Sequence, residues 1–173
     1  MNIVKVILLS TILLIFNPEK KVWDESNKLE WSDFKGEVPQ ERGLKIANSY
    51  INIEIEGEVY KGEIPNLKIV PYFLKNESWT TVSDKITLNH EQLHFDISEL
   101  YARRMRKSFD SLVYSKTVDF EIYESCYVNL YSQYLESQRL YDSETYFNEE
   151  IQMMWKDSIL KELNKLNDFK MGE

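Results

Sequence analysis

The two histidines of the 173-residue chain stand four residues apart, as His90 and His94, with Glu91 directly after the first. On an α-helix, positions i and i+4 share a face about one turn apart. Both imidazoles can then offer ring nitrogens to one metal ion, with Glu91 on the same turn. This H-E-x-x-H spacing is the one in which two neutral imidazoles bind zinc and a carboxylate serves as general base in hydrolysis. Two histidines scattered at random would give this spacing, with a following glutamate, in about one chain in a thousand. A metal site therefore outweighs a solvated helix that carries two chance histidines.

A helix must hold this motif, and the sequence supplies its start. Ser83 and Asp84 are good N-cap residues, and His90, Leu93, His94, Ile97 and Tyr101 fall on one face at helical spacing. Asp96 and Glu99 point away from that face. Arg103, Arg104, Arg106 and Lys107 read as cations near the helix end, where the macrodipole favours them.

Upstream, residues 49–56 alternate apolar and polar with period two, which predicts a half-buried strand. Gly57, then Glu58-Val59-Tyr60 and Gly62, suggest a turn into a second strand. Residues 67–74 are a third strand candidate, and Pro71 predicts that it lies at a sheet edge or carries a bulge. An edge strand there could pair with an extended peptide lying across the metal. Further upstream, Glu19 to Asn27 reads as an exposed lead-in, and Trp31 and Phe34 pin a short turn to the core around a turn-forming Asp33.

Downstream, residues 117–140 predict a second helix with an apolar row of Val118, Ile122, Cys126 and Leu130. Asp142-Ser143-Glu144-Thr145 reads as a loop. Asn148 can cap a third helix carrying Ile151, Trp155, Ile159, Leu163 and Leu166. The fold class expected is α+β: a small, mostly antiparallel sheet from the N-terminal half packed on three helices from the C-terminal half.

A hydrophobic content of 43% with 13% aromatics suits one folded domain. The net charge of −8 argues against nucleic acid or anionic lipid as a main partner. Cys126 is the one cysteine, so no intrachain disulfide can form. Lys5 followed by the apolar run 6–16 matches a secretory signal peptide or an uncleaved N-terminal anchor over residues 1–18, leaving 19–173 as a single metallopeptidase-like domain. The expected location is secreted or periplasmic, with membrane contact only through that leader.

Leu29-Glu30-Trp31-Ser32-Asp33-Phe34-Lys35-Gly36, then His90-Glu91-Gln92-Leu93-His94-Phe95-Asp96-Ile97 with Glu99 to Arg103, then Tyr141-Asp142-Ser143-Glu144-Thr145 and Gln152 to Trp155, occur in that order. Together they resemble the DUF922 family of bacterial proteins, described as predicted secreted zinc-dependent proteases. The resemblance covers nearly the whole chain after the leader and implies export, a zincin-like metal helix, and peptidase activity. In that family a histidine often follows the Tyr-Asp-x-Glu-Thr block; here Tyr146-Phe147-Asn148 follows instead. A catalytic zinc normally takes three protein ligands plus water. Either the third is a carboxylate, with Asp142 and Glu144 the first candidates and Glu121 and Glu124 on the second helix the alternative, or the site is incomplete.

The expected function is zinc-dependent peptide-bond hydrolysis, with His90 and His94 holding Zn2+, Glu91 as general base, and a tyrosine such as Tyr141 facing the developing oxyanion. The substrate would be a peptide or protein, or amide bonds of cell-wall material. The rival expectation is a catalytically inactive exported protein that keeps the same helix for metal or partner binding.

Overall fold

The computed structural model describes residues 19–145 and 148–171. The leader expected over residues 1–18 lies outside the described residues. Among the described residues no helix is long and apolar enough to cross a membrane.

Among the described residues five strands, β1 (Lys20–Val22), β2 (Ala47–Asn48), β3 (Ile51–Glu58), β4 (Asn66–Leu74) and β5 (Trp79–Thr80), precede three helices, α1 (Lys85–Tyr114), α2 (Phe120–Thr145) and α3 (Glu149–Lys165). Short 3-10 turns cover Trp31–Asp33 and Asn167–Phe169. The main sheet is antiparallel in the order β1-β4-β3, and β2 pairs with β5 in a separate two-stranded ribbon. This is the α+β arrangement expected, a small antiparallel sheet with three helices after it. Ile53, Ile69 and Phe73 from the sheet share one core with Phe95, Ile97, Ala102 and Met105 of α1, Tyr123, Tyr134 and Tyr141 of α2, and Ile159 and Leu163 of α3.

Three expectations for the N-terminal half are corrected. Lys20 to Val22 is not a solvated lead-in, because its backbone pairs with Leu74 to Tyr72 and Trp23 is buried beside it. The β4 strand is central rather than an edge, and Pro71 sits in it opposite Ile53. A strand residue points its N and C=O to the same side, and Pro71 O accepts from Trp23 N. The missing N–H thus faces the short β1, past its last paired residue Val22, and costs the β3 ladder nothing. Extended peptide therefore cannot add to β4. The outer edge of β3 is also occupied, since Tyr127 donates to the Ile53 carbonyl at 2.6 Å and Tyr134 to that of Ile51 at 3.4 Å.

The separate strand expected around Val59 is absent, because β3 runs through Gly57 to Glu58. Gly57 has φ of 143°, and a Cβ there would lie 2.0 Å from Asn66 O, so a side chain would break the pairing with β4.

Helix α1 starts as expected, with Asp84 accepting from Thr87 N at 2.8 Å. It runs for 30 residues, about 45 Å. It ends in a Schellman motif, with Thr117 N on Leu112 O and Lys116 N on Val113 O, Lys116 taking the left-handed conformation at φ of 54°. The arginines are therefore in mid-helix and not at its end. Glu99, buried, takes Arg103 Nε at 2.8 Å and an Arg106 guanidinium nitrogen at 3.0 Å. Those arginines also bond the carbonyls of Leu163, Ile69 and Phe169, tying α1 to α3, the sheet and the C-terminal turn.

The loop expected at residues 142–145 is instead the last turn of α2. Ser143 and Thr145 return their hydroxyls to the carbonyls of Leu140 and Tyr141, which removes their incentive to leave the helix. Burial of Tyr141 and Thr145 fixes the turn against the core. Asn148 caps α3 as expected, accepting from Ile151 N. Asp33 is structural, accepting from Glu30 N and pairing with Lys21 and Lys75.

Candidate metal centre

Helical spacing on α1 stacks His90 and His94 one turn apart, with ring centroids separated by 4.8 Å and planes at 83°. Their Nε2 atoms lie 3.2 Å apart. The C-terminal turns of α2 face them with a second i, i+4 pair, Gln138 and Asp142. Asp142 Oδ1 lies 2.9 Å from His94 Nε2 and 3.2 Å from His90 Nε2. His90, His94 and Asp142 thus form a group that could hold a metal ion.

The triangle can be tested against coordination geometry. Ligands about 2.05 Å from a tetrahedral ion are separated by about 3.3 Å along each edge. The observed edges of 3.2, 3.2 and 2.9 Å are of that size. Two imidazole nitrogens and one carboxylate oxygen also make the donor set of the zinc class with two histidines and one carboxylate. The residues present therefore fit the metal that the spacing of the histidines implies.

The electrostatics point the same way. Burial works to raise the Asp142 carboxyl, but hydrogen bonds from His90 and His94 and their charge hold it well below the usual carboxylate range. Burial works to lower the His94 imidazolium, yet the Asp142 hydrogen bond, the charge of Glu91 and the contact with Gln138 raise it above its ordinary value of 6.5. A site that retains a proton against burial carries an excess of negative potential. The negative charge of Asp142 and Glu91 that favours this proton favours a metal cation as well, which has to displace the proton to bind His94.

Tyr141 walls the site. Its ring stacks on His90 with centroids 4.6 Å apart and meets His94 edge-on at 4.9 Å. Its hydroxyl lies 3.4 Å from the His90 carbonyl, so it faces the helix backbone rather than the metal position. Trp155 of α3 packs against Tyr141 from behind and donates its indole N–H to Glu144. Glu144 is thereby committed to the α2–α3 corner, and Asp142 is the member of that block that reaches the histidines. Glu121 and Glu124 stand at the opposite end of α2, with Glu124 about 27 Å along the axis from Asp142, and both are exposed.

Glu91 is buried at 5% exposure, and its charge acts on both His94 and Tyr141. Asp96 and Glu99 face elsewhere, as the helical geometry predicts. Asp96 takes Trp23 Nε1 at 2.7 Å, Gln92 Nε2 at 2.8 Å and Lys28 at 3.2 Å.

Gln138 is the site residue that sequence reasoning missed. Its Oε1 contacts His94 Nδ1 and its Nε2 donates to the His94 carbonyl at 3.0 Å. The signal was its place four residues before Asp142, which counts only once the 142–145 segment is read as helix. No family model, curated protein or solved structure matches the chain.

Proposed function

We propose that this protein is an exported zinc-dependent hydrolase of peptide bonds, related to the secreted protease family that its motifs resemble. His90, His94 and Asp142 hold the ion, and Glu91 is the general base. The observation that carries this reading is the triangle of two Nε2 atoms and one carboxylate oxygen, with edges of 2.9 to 3.2 Å. Bound among these residues, zinc would supply a Lewis acid that lowers the pKa of water to roughly 7. Glu91, next in sequence to a ligand, would serve as general base, taking a proton from water and returning it to the leaving amine. Tyr141 orients the imidazoles through its ring. Export rests on the basic start and the apolar run 6–16.

The test is Glu91→Gln in zinc-loaded protein, scored on a broad peptide library and on murein fragments. Zinc content should be unchanged while hydrolysis falls at least about 100-fold, the lower range for general-base removal. Hydrolysis that persists unchanged would refute the mechanism. The burial of Glu91 favours a second reading, an exported metal-binding protein without hydrolytic activity. Zinc-loaded parent protein that cleaves neither library supports that reading over the first.

A further inference from the structure

We infer that Gln138 is a positioning residue that fixes the tautomer of His94, and this rests on the metal-binding reading of the same site. The Gln138 side chain touches His94 twice. One end meets the His94 backbone carbonyl at 3.0 Å. A carbonyl oxygen only accepts, so that end must be the amide NH2. The other end is then the amide oxygen, and it meets His94 Nδ1. An oxygen there also only accepts, so Nδ1 carries the proton. A neutral imidazole has one N–H, which leaves Nε2 bare.

That bare nitrogen points at Asp142 Oδ1, 2.9 Å away, and at His90 Nε2, 3.2 Å away. In the neutral form two acceptors then face each other across the shorter gap, a conflict that a proton or a metal ion between them removes. Gln138 therefore presets the metal-binding form of His94 before any ion arrives. A partner on the second nitrogen of a ligating histidine is typically worth 10- to 100-fold in metal affinity. This partner is a neutral amide, so it selects the tautomer without adding charge.

The experiment uses 15N-labelled, metal-free protein at alkaline pH, where the imidazoles are neutral, followed by zinc titration. Long-range 15N–1H spectra report which ring nitrogen carries the proton, and His90→Asn assigns the two histidines. The parent should show His94 protonated at Nδ1. Gln138→Met should shift His94 toward the Nε2–H form and weaken zinc binding by about 10- to 100-fold. Gln138→Glu keeps the acceptor for Nδ1 but loses the donor to the carbonyl. It should keep the parent tautomer and bind zinc as tightly or more tightly.

A role limited to tying α1 to α2 predicts instead that Met and Glu do equal damage, and that result overturns the inference. So does a parent spectrum with Nδ1 unprotonated, which decides the matter even if Gln138→Met fails to fold. The spectra are recorded without metal or substrate. A failure to find hydrolysis leaves them untouched, and the two readings stand or fall separately.

Discussion

Asp142→Asn tests the proposed third ligand. The substitution keeps the size of the side chain and its place on the last turn of α2. It removes the charge that the two imidazoles face across 2.9 and 3.2 Å. Structural zinc sites bind with about 10–16 kcal/mol over four ligands, so one ligand contributes roughly 2.5–4 kcal/mol, about 100- to 1,000-fold in affinity. Without metal the effect is far smaller. The Asp142 side chain is 53% exposed, and solvent screening limits such a pair to about 1 kcal/mol at most. For a chain of this size that is a fall in Tm of about 2–4 °C. The assay is competition for zinc against a chromophoric chelator, beside thermal melts in EDTA. Glu144→Gln is the control, because that carboxylate serves Trp155. The assignment of Asp142 is refuted if the Asn variant binds zinc within about threefold of the parent. It is refuted equally if Glu144→Gln loses as much.

The metal-free protein should have a stability optimum on the acid side of neutrality. The His94 pKa is raised, so its contribution is complete below about 6.5 and is lost as pH rises through the folded value. The Asp142 pKa is depressed, so its contribution is present above about 3.8 and is lost as pH falls through the folded value. Urea midpoints in EDTA from about pH 2 to 9 check this, and His94→Gln should flatten the alkaline arm. Tyr141→Phe should cost less than about 1 kcal/mol, since the 3.4 Å hydroxyl contact is long. Tyr141→Ala removes a fully buried ring and should cost about 3–5 kcal/mol in a denaturant titration, with looser zinc binding as His90 loses its support. Glu99→Gln leaves two guanidinium groups short of a counter-charge in a site 2% exposed, and should cost at least about 3 kcal/mol with zinc affinity in the refolded protein retained.

The parts of the fold that sequence conveyed were those fixed by local chemistry. The cap at Asp84, the 90/94 spacing, the alternation through Ile51, Ile53 and Ile55, and the cap at Asn148 each depend on residues a few positions apart. The failures share a different cause. Pro71 announces a missing donor but not which neighbouring strand the missing donor faces, and only the short β1 resolves that. Trp23 lies in polar sequence, and its burial depends on Asp96, 73 residues away. Asp-Ser-Glu-Thr has weak helix propensity, so the last turn of α2 is held by the burial of Tyr141 and Thr145. At the site, His90, His94 and the candidacy of Asp142 were legible from residue type and order. The choice of Asp142 over Glu144 was not, because it depends on the phase of a helix turn that the propensities argue against.

The two halves of the site are held by different means, and this separates stability from metal affinity. The imidazoles stand on α1, a helix buried on nearly all sides between Glu91 and Met105. Its polar side chains are committed: Asp96 to Trp23 and Lys28, Gln92 to Leu29 N, and Glu99 to Arg103 and Arg106 of the same helix, which in turn bond the carbonyls of Leu163, Ile69 and Phe169. The histidine separation is therefore a property of the folded core, present whether or not a metal is bound. Asp142 comes instead from the half-exposed end of α2, where Glu144, Trp155 and Tyr141 hold the corner. An ion shared by the three proposed ligands would link a rigid element to one that has fewer constraints. Damage to the α1 network must therefore appear as lost stability with or without zinc. Loss of the Asp142 carboxylate alone must appear first as lost zinc, because in the metal-free chain little else depends on where that carboxylate points.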